Sequence, residues 1–360
     1  MLYYLFVTVL RPHFSPLNVF RYITVRTALA SLTALFLTLV FGPWTIRRLR
    51  EMQIGQFIRA EGPERHQAKA GTPTMGGVLI VAACLAATLL LADPRDPYVW
   101  IALFVTVSFG AIGLTDDYLK LKRGRGRGLS GPQKLVWQFA CALGAAAVLF
   151  GLMAFSRTLN FPFFKRLHPG LPIWLYVPLA AIVIVGSSNA VNLTDGLDGL
   201  AIGPVMTTSF CYWVFTYVAG NLKFARYLDV PHVEGVGEVA IFCAALIAAS
   251  MGFLWYNAYP ASMMMGDVGA LALGGALGTV ALLAKQELVL PIAGGIFVLE
   301  AVSVIIQRYY YKLTHQRIFR MAPIHHHFEL AGWPETLVVV RFWIISIVCA
   351  LVALSTLKLR

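Results

Sequence analysis

Two adjacent carboxylates, Asp116 and Asp117, directly follow an apolar run over residues 98–115. Ionisable side chains in or beside a bilayer are costly and usually mark a substrate path, a metal or a catalytic group. Neighbouring carboxylates repel each other and oppose the dipole at the end of a helix, so a cation should compensate them. Mg²⁺ is suitable because it prefers oxygen ligands and bridges carboxylates to phosphates. The pair predicts magnesium-dependent phosphate chemistry, with a solvated pair facing Lys120 and Lys122 as the simpler alternative.

A third carboxylate, Asp267, precedes another apolar run in the segment Met265-Gly266-Asp267. Taken alone, it is most simply the N-cap of the following helix. Taken together with Asp116 and Asp117, it would complete a site for a divalent metal.

A polar series over residues 189–201 includes Asn189, Asn192, Asp195 and Asp198. The last three are spaced by three residues, so on a helix that opens the next apolar run they would share roughly one face. Acids at a helix N-terminus are favoured by the dipole, which also favours a bound phosphate. Thr194 or Asp195 as a simple N-cap is the alternative.

A histidine triplet, residues 325–327, lies in a basic loop. Zinc is one possible ligand, but adjacent histidines do not easily converge on one ion. Hydrogen bonds from the imidazoles to pyrophosphate or to a carrier phosphate are the favoured interpretation, and a solvated loop is the alternative. Lys69 could also reach a phosphate, because it lies just before the segment that starts at Gly71. There Thr72 can cap a helix and Pro73 fits its first turn.

The elements that position these residues are predicted to be membrane-spanning helices. The chain is 58% hydrophobic and 13% charged, with a mean hydropathy of +0.72, whereas soluble domains carry about 25% charged residues. This composition predicts an all-α, polytopic membrane protein that forms one domain over residues 1–360. Hydropathy predicts about ten spans, near residues 22–43, 72–92, 98–116, 134–154, 172–190, 198–219, 238–257, 267–284, 289–308 and 337–357.

The distribution of basic residues predicts the orientation in the bilayer. Loops on one side of these spans hold sixteen Lys and Arg residues, against eleven on the other side with both tails included. The richer loops should be cytoplasmic, which places both termini outside. The named aspartates, Lys69 and the histidines then share the cytoplasmic face, and the outer connections are expected to hold nothing comparable. The net charge of +12 reflects this topology and anionic head groups rather than nucleic acid.

Five segments resemble the polyprenyl-phosphate N-acetylhexosamine-1-phosphate transferases. The acidic motifs are typical of the whole superfamily, and two of the other segments resemble its muramoyl-peptide branch. The resemblance extends over essentially the full chain. The matching segments are GTPTMGG at 71–77, DDYLK at 116–120, NAVNLTDGLDGLA at 189–201, GDVG at 266–269 and APIHHHFE at 322–329.

The resemblance implies transfer of phospho-MurNAc-pentapeptide from UDP-MurNAc-pentapeptide to undecaprenyl phosphate, giving lipid I and UMP, at a bacterial inner membrane. It implies Mg²⁺ held by Asp267 and Asp117, Asp116 acting on the carrier phosphate, and a homodimer. A covalent aspartyl-phosphate route stays open. The implied catalytic residues are Asp116, Asp117, Asp267, His325 and His326, and the implied substrate-binding residues are Lys69, Asn189, Asn192, Asp195, Asp198 and His327.

Two other functions compete with this hypothesis. A sibling enzyme that uses another UDP-N-acetylhexosamine with the same lipid would share the acidic motifs and differ around residues 322–329. An anion transporter would carry ionisable residues near the middle of its spans and a path to the outer side.

Overall fold

The computed structural model describes residues 2–10, 14–52, 71–123, 128–153, 155–164 and 167–358. Lys69 lies outside these residues. All regular secondary structure in the described residues is helical. They form no β-strand, and one isolated bridge joins Thr158 and Gly170. The prediction of an all-α protein is confirmed.

Thirteen α-helices follow one another along the described chain, joined by short loops and by single turns of 3₁₀- or π-helix. They are α1 (Ile23–Glu51), α2 (Gly77–Leu91), α3 (Pro97–Arg123), α4 (Gly131–Ala147), α5 (Ile173–Thr194), α6 (Ile202–Ala219), α7 (Leu222–Leu228), α8 (Val239–Asn257), α9 (Gly266–Leu283), α10 (Leu290–Ala293), α11 (Gly295–Thr314), α12 (Ile324–Leu330) and α13 (Glu335–Ser355).

Seven of the described helical segments are long and apolar enough to cross a membrane. An eighth results if α10 and α11, which meet at an angle of 84°, form one broken span. Every predicted span coincides with a helix, but α2 has only 15 residues, a length of about 22 Å against a hydrocarbon core of about 30 Å. The polytopic architecture is confirmed, and the count of ten stays a prediction.

Helix α9 forms the centre of the bundle, between α3 and α5, and all its residues from 268 to 283 are buried. Its small residues allow neighbouring backbones to approach closely. A Cβ atom added at Gly274 would lie 2.5 Å from the Cα atom of Ser188 in α5. A Cβ atom added at Gly113 of α3 would lie 2.3 Å from the Asp267 carbonyl oxygen, so the first turn of α9 lies directly against the later turns of α3.

The opposite end of the bundle contains buried ion pairs that hydropathy did not predict. Arg26 and Glu238 form a bidentate pair with two N–O distances of 2.6 Å, and Lys285 lies 3.4 Å from Glu287. The expectation that these connections hold nothing comparable to the aspartates was wrong. A hydropathy profile treats each residue alone, so it does not register two distant charges that neutralise each other inside the fold.

Candidate active site

The three aspartates converge where α3 ends and α9 begins. One oxygen from each of Asp116, Asp117 and Asp267 lies within 4.8 Å of the others. The side chains of Asp116 and Asp117 are 1% and 5% exposed, and that of Asp267 is 17% exposed. Asp267 is the second residue of α9 and makes no N-cap hydrogen bond. Its carboxylate therefore belongs to the cluster rather than to a helix cap.

Two lysines supply the positive charge that the cluster requires. The Nζ atom of Lys120 lies 2.7 Å from Asp116, 3.1 Å from Asp117 and 2.9 Å from Asp267. The Nζ atom of Lys134, from the first turn of α4, lies 3.1 Å from Asp116 and 2.7 Å from Asp267. Lys120, whose side chain is 35% exposed, thus bridges all three carboxylates rather than facing only the pair. Sequence analysis missed Lys134 as a site residue, because its distance from the acids depends on how α4 folds back.

Backbone amides hold the two aspartates of α3. The Leu129 N–H donates to Oδ1 of Asp116 over 2.7 Å, so this carboxylate is engaged on both oxygens. The Val268 N–H donates to Oδ2 of Asp117 over 3.4 Å. Asp117 therefore faces the N-terminus of α9, whose dipole favours negative charge. The favourable dipole of α9 offsets the unfavourable interaction of Asp117 with the C-terminal end of the α3 dipole.

The donor set fits Mg²⁺. Three carboxylates in close proximity offer the hard oxygen ligands that this ion prefers. Asp117 and Asp267 are the residues that would hold it, because Asp116 has three partners, an amide and two ammonium groups, whereas Asp117 and Asp267 have two each and Asp267 is the most exposed. In the part of the chain that the structure describes, no other group of three His, Cys, Asp or Glu side chains lies close enough to hold a metal.

The segment over residues 71–77 supports the acidic cluster through its backbone. Helix α2 begins at Gly77 rather than at Thr72, and Thr72 does not cap it. The carbonyl of Pro73 accepts from the Met264 N–H over 2.8 Å, and the Gly76 N–H donates to the Met264 carbonyl over 2.9 Å. These bonds fix the position of Met264, which lies three residues before Asp267. The segment therefore positions Asp267 instead of starting a helix with a capping threonine.

The polar series 189–201 does not open a helix, as the sequence suggested. Helix α5 continues to Thr194, whose hydroxyl donates back to the Ala190 carbonyl over 2.9 Å. Asn192 lies in the last turn of α5, and Asp195 and Asp198 lie in the turns before α6. The helix ends at its C-cap Asp195, which has φ of −78° and ψ of 55°, and in the turn that follows Gly199 adopts a φ of +75°, which favours glycine. The predicted helix N-terminus at these acids was wrong.

Two members of this series have structural partners. Asn189 donates through Nδ2 to Oε1 of Gln138 and to the Val185 carbonyl, both over 2.8 Å. Asp198 is buried, and its Oδ2 accepts from the Ala261 N–H over 3.0 Å. Asn189 therefore joins α5 to α4, and Asp198 joins the turn after α5 to the loop before α9. Their roles as substrate ligands stay predictions.

Asp195 is electrostatically linked to the cluster. Burial of its carboxyl group, together with the negative charges of Asp267, Asp117 and Asp198, raises its pKa to about 8. At neutral pH the group is therefore mostly protonated, and it can donate a hydrogen bond, which an ionised carboxylate cannot.

This shifted pKa predicts a pH-dependent effect of Asp195→Asn on stability. The unfolded-state pKa is near 3.8 and the folded-state pKa is about 8, so between these values unfolding releases a proton and wild-type stability falls as pH rises. An asparagine side chain does not titrate in this range, so the Asp195→Asn variant does not lose stability in this way. In metal-free detergent solution, we expect the variant to melt at a higher temperature than wild type at pH 8 to 9, with the difference closing towards pH 4.

The control for this measurement is Asp229→Asn, at an exposed residue in the left-handed region, with φ of 53°, which asparagine accepts. It should show no such trend. A constant difference between Asp195→Asn and wild type across the pH range would contradict the assignment.

The three histidines occupy the short helix α12 and point to different partners. His325 is buried, and its Nδ1 lies 3.1 Å from Oε2 of the buried Glu300. The other edge of its ring faces Gly196, where an added Cβ atom would lie 2.2 Å from Nε2. His325 therefore packs against the turn that carries Asp195.

The other two histidines are engaged at the surface of α12. His326 lies with Nδ1 2.8 Å from Oε2 of Glu329, and Nδ1 of His327 accepts from the Arg320 N–H over 3.1 Å. The triplet thus does not converge on one ion, which argues against the zinc interpretation. Sequence analysis missed Glu300, which lies within an apolar helix without a local motif.

Comparison with known proteins identifies the family. Residues 99–285 match the model of Glycosyl transferase family 4, and residues 69–81 match signature 1 of Phospho-N-acetylmuramoyl-pentapeptide-transferase. Proteins of that name from Syntrophus aciditrophicus and Desulfatibacillum aliphaticivorans are 56% and 58% identical over the full length of both chains. One from Citrifermentans bemidjiense is 54% identical, also over the full length of both. The chain therefore belongs to the phospho-N-acetylmuramoyl-pentapeptide-transferase family.

Proposed function

We propose that this protein transfers phospho-MurNAc-pentapeptide from UDP-MurNAc-pentapeptide to undecaprenyl phosphate, releasing UMP and forming lipid I. The observation that carries the proposal is the cluster of Asp116, Asp117 and Asp267 with Lys120 and Lys134, at one end of the helical bundle. Phosphoryl transfer requires positioning and charge neutralisation above all. This cluster offers both, and the names of the full-length relatives give the substrate.

In this proposal the bundle crosses a bacterial inner membrane about ten times, with both termini outside and the aspartates on the cytoplasmic side. The excess of basic residues in the loops at that side supports the orientation. A water-soluble UDP-sugar would arrive from the cytoplasm and the lipid phosphate through the bilayer, so the acids lie where the two can meet. The protein would act as a homodimer, as the sequence resemblance implies.

The lysines bind and orient the phosphates. When the acceptor phosphate and the diphosphate enter, the Nζ groups of Lys120 and Lys134 can turn from the carboxylates towards the phosphate oxygens, since each is held by ion pairs alone. Mg²⁺ bound by Asp117 and Asp267 would supply further neutralisation of the diphosphate charge. Asp195, protonated at neutral pH, donates a hydrogen bond to an oxygen of the donor substrate.

Direct attack by the carrier phosphate is the favoured route. Asp116 is 1% exposed, and its two oxygens already contact the Leu129 N–H, Lys120 and Lys134, so little of this carboxylate is accessible to a substrate. A phosphate monoester has a second pKa of about 6, so its attacking oxygen is ionised at pH 7 without a protein base. Asp116 therefore positions the two lysines, and His325 positions the turn that carries Asp195.

The test is UMP release by the detergent-purified protein from UDP-MurNAc-pentapeptide, with and without undecaprenyl phosphate and Mg²⁺. We expect release that requires both, and no release from UDP-GlcNAc. Release from UDP-GlcNAc alone would assign the chain to the sibling reaction. No release from either donor by well-folded protein would contradict the proposal.

A further inference from the structure

A pocket with a volume of about 430 Å³ and a mixed polar and apolar lining lies at the end of α11, beside the loop that leads to the histidines. It is lined by Gln307, Arg308 and Tyr311 of α11, and by Arg317 with residues 321–322 of the loop. The volume is in the range of small-molecule sites. None of the residues of the acidic cluster lines this pocket.

The loop wall of the pocket is fixed by Gln307. Its Nε2 donates to the Phe319 carbonyl over 3.0 Å, and its Oε1 accepts from the Phe319 N–H over 3.0 Å. A side-chain amide that satisfies both backbone groups of one residue holds that residue in a defined position. The pocket is therefore built by a specific contact rather than by a loose loop.

Two guanidinium groups face this pocket without a carboxylate partner. Among the residues that the structure describes, no Asp or Glu lies within ion-pair distance of Arg308 or Arg317. Other cations around the active site, such as Lys120 and Lys134, are fully paired. Guanidinium groups form bidentate hydrogen bonds with carboxylates, so this pocket is suited to a carboxylate ligand.

The distance from the active site suits one part of the proposed donor. Arg308 lies eight residues after Glu300, which contacts His325, so it is about 12 Å further along α11. A pentapeptide spans at most about 17 Å when extended. Because its N-terminus is joined to the muramoyl group, its C-terminal carboxylate is free. A donor whose muramoyl group lies beside His325 can therefore bring a peptide carboxylate to this pocket.

We propose that Arg308 and Arg317 bind a carboxylate of the stem peptide and so select donors that carry the complete peptide. This inference rests on the proposed function, since it assumes that a UDP-sugar with a peptide is the donor. The competing ligand is an anionic lipid head group, because exposed tyrosines of α11 lie nearby. The junction of the pocket with the loop that leads to the histidines favours the soluble peptide.

The experiment compares two donors, UDP-MurNAc-pentapeptide and peptide-free UDP-MurNAc, by calorimetric binding and by UMP release. For the double variant Arg308→Ala/Arg317→Ala, we expect Kd and KM for the full donor to rise about tenfold, as for loss of a charge-assisted hydrogen bond. The values for the peptide-free donor should stay unchanged. Arg308→Lys should retain part of the affinity, since it keeps the charge and loses the bidentate geometry.

The matched control is Lys312→Ala, which removes an exposed cation one turn further along α11 that does not line the pocket. If the double variant changed Kd and KM equally for both donors, or changed neither value, the inference would be overturned. Loss of turnover that appears only in vesicles with anionic lipid would assign the pocket to a head group instead. If wild type turned over neither donor, the proposed function would fail. The difference in Kd between the two donors would still show whether the pocket binds the peptide.

Discussion

Asp267→Asn is expected to lower kcat about 10³-fold, a loss of about 4 kcal/mol in transition-state stabilisation. Its carboxylate is the most exposed of the three and contacts both lysines, so the amide removes the ligand best placed for Mg²⁺. The amide also lowers the number of negative charges in the cluster from three to two, which matches the two lysines.

The discriminating measurement is the rise in melting temperature on titration with Mg²⁺, since an ion that binds the folded state stabilises it. Wild type should show the rise and Asp267→Asn should lose most of it. Asp93→Asn is the matched control, because Asp93 pairs with Arg95 at the opposite end of the bundle. Near-normal turnover of Asp267→Asn at limiting Mg²⁺ would refute the metal assignment.

Lys134→Met is expected to lower kcat about 10²-fold and yet to bind Mg²⁺ more tightly than wild type. The ammonium group neutralises Asp116 and Asp267 at 3.1 and 2.7 Å, so it competes with a metal for the same charge. Removing it leaves three carboxylates with one lysine, which destabilises the metal-free protein and strengthens metal binding. Turnover falls because the phosphates lose a cation that binds them.

Two measurements on the same variant check this prediction. Thermal unfolding at a series of Mg²⁺ concentrations gives the metal affinity, and UMP release gives the turnover. Lys122→Met provides the control, because Lys122 lies in the last turn of α3 near the acidic cluster, is exposed and has no ion-pair partner among the described residues. A variant that lost metal affinity in proportion to its turnover would show that Lys134 supports the metal rather than competing with it.

Sequence alone predicted those features that depend on composition and on charges at the ends of apolar runs. The helical class follows from hydropathy, and the convergence of Asp116, Asp117 and Asp267 follows from three acids at helix ends. These acids were recognisable because a charge beside an apolar run is costly and needs an explanation.

The features that sequence did not predict depend on tertiary contacts. Lys134 reaches the acids because α4 folds back onto the end of α3, and Glu300 matters because α12 places His325 against it. The end of α5 was misassigned because Thr194 can either cap a helix or bond within one, and here its hydroxyl bonds to the Ala190 carbonyl. Spacing alone does not distinguish the two conformations.

The buried pair of Arg26 and Glu238 also bears on how this chain is made. The two residues are 212 positions apart, which at about 5 to 20 residues per second corresponds to roughly 10 to 40 s of translation. During that interval α1 carries a guanidinium group without its carboxylate. Because Arg26 lies in the first turn of α1, its side chain can extend to the lipid head groups until Glu238 is synthesised. The charge of Arg26 is thus neutralised by its native partner only when the ribosome has delivered the segment just before α8.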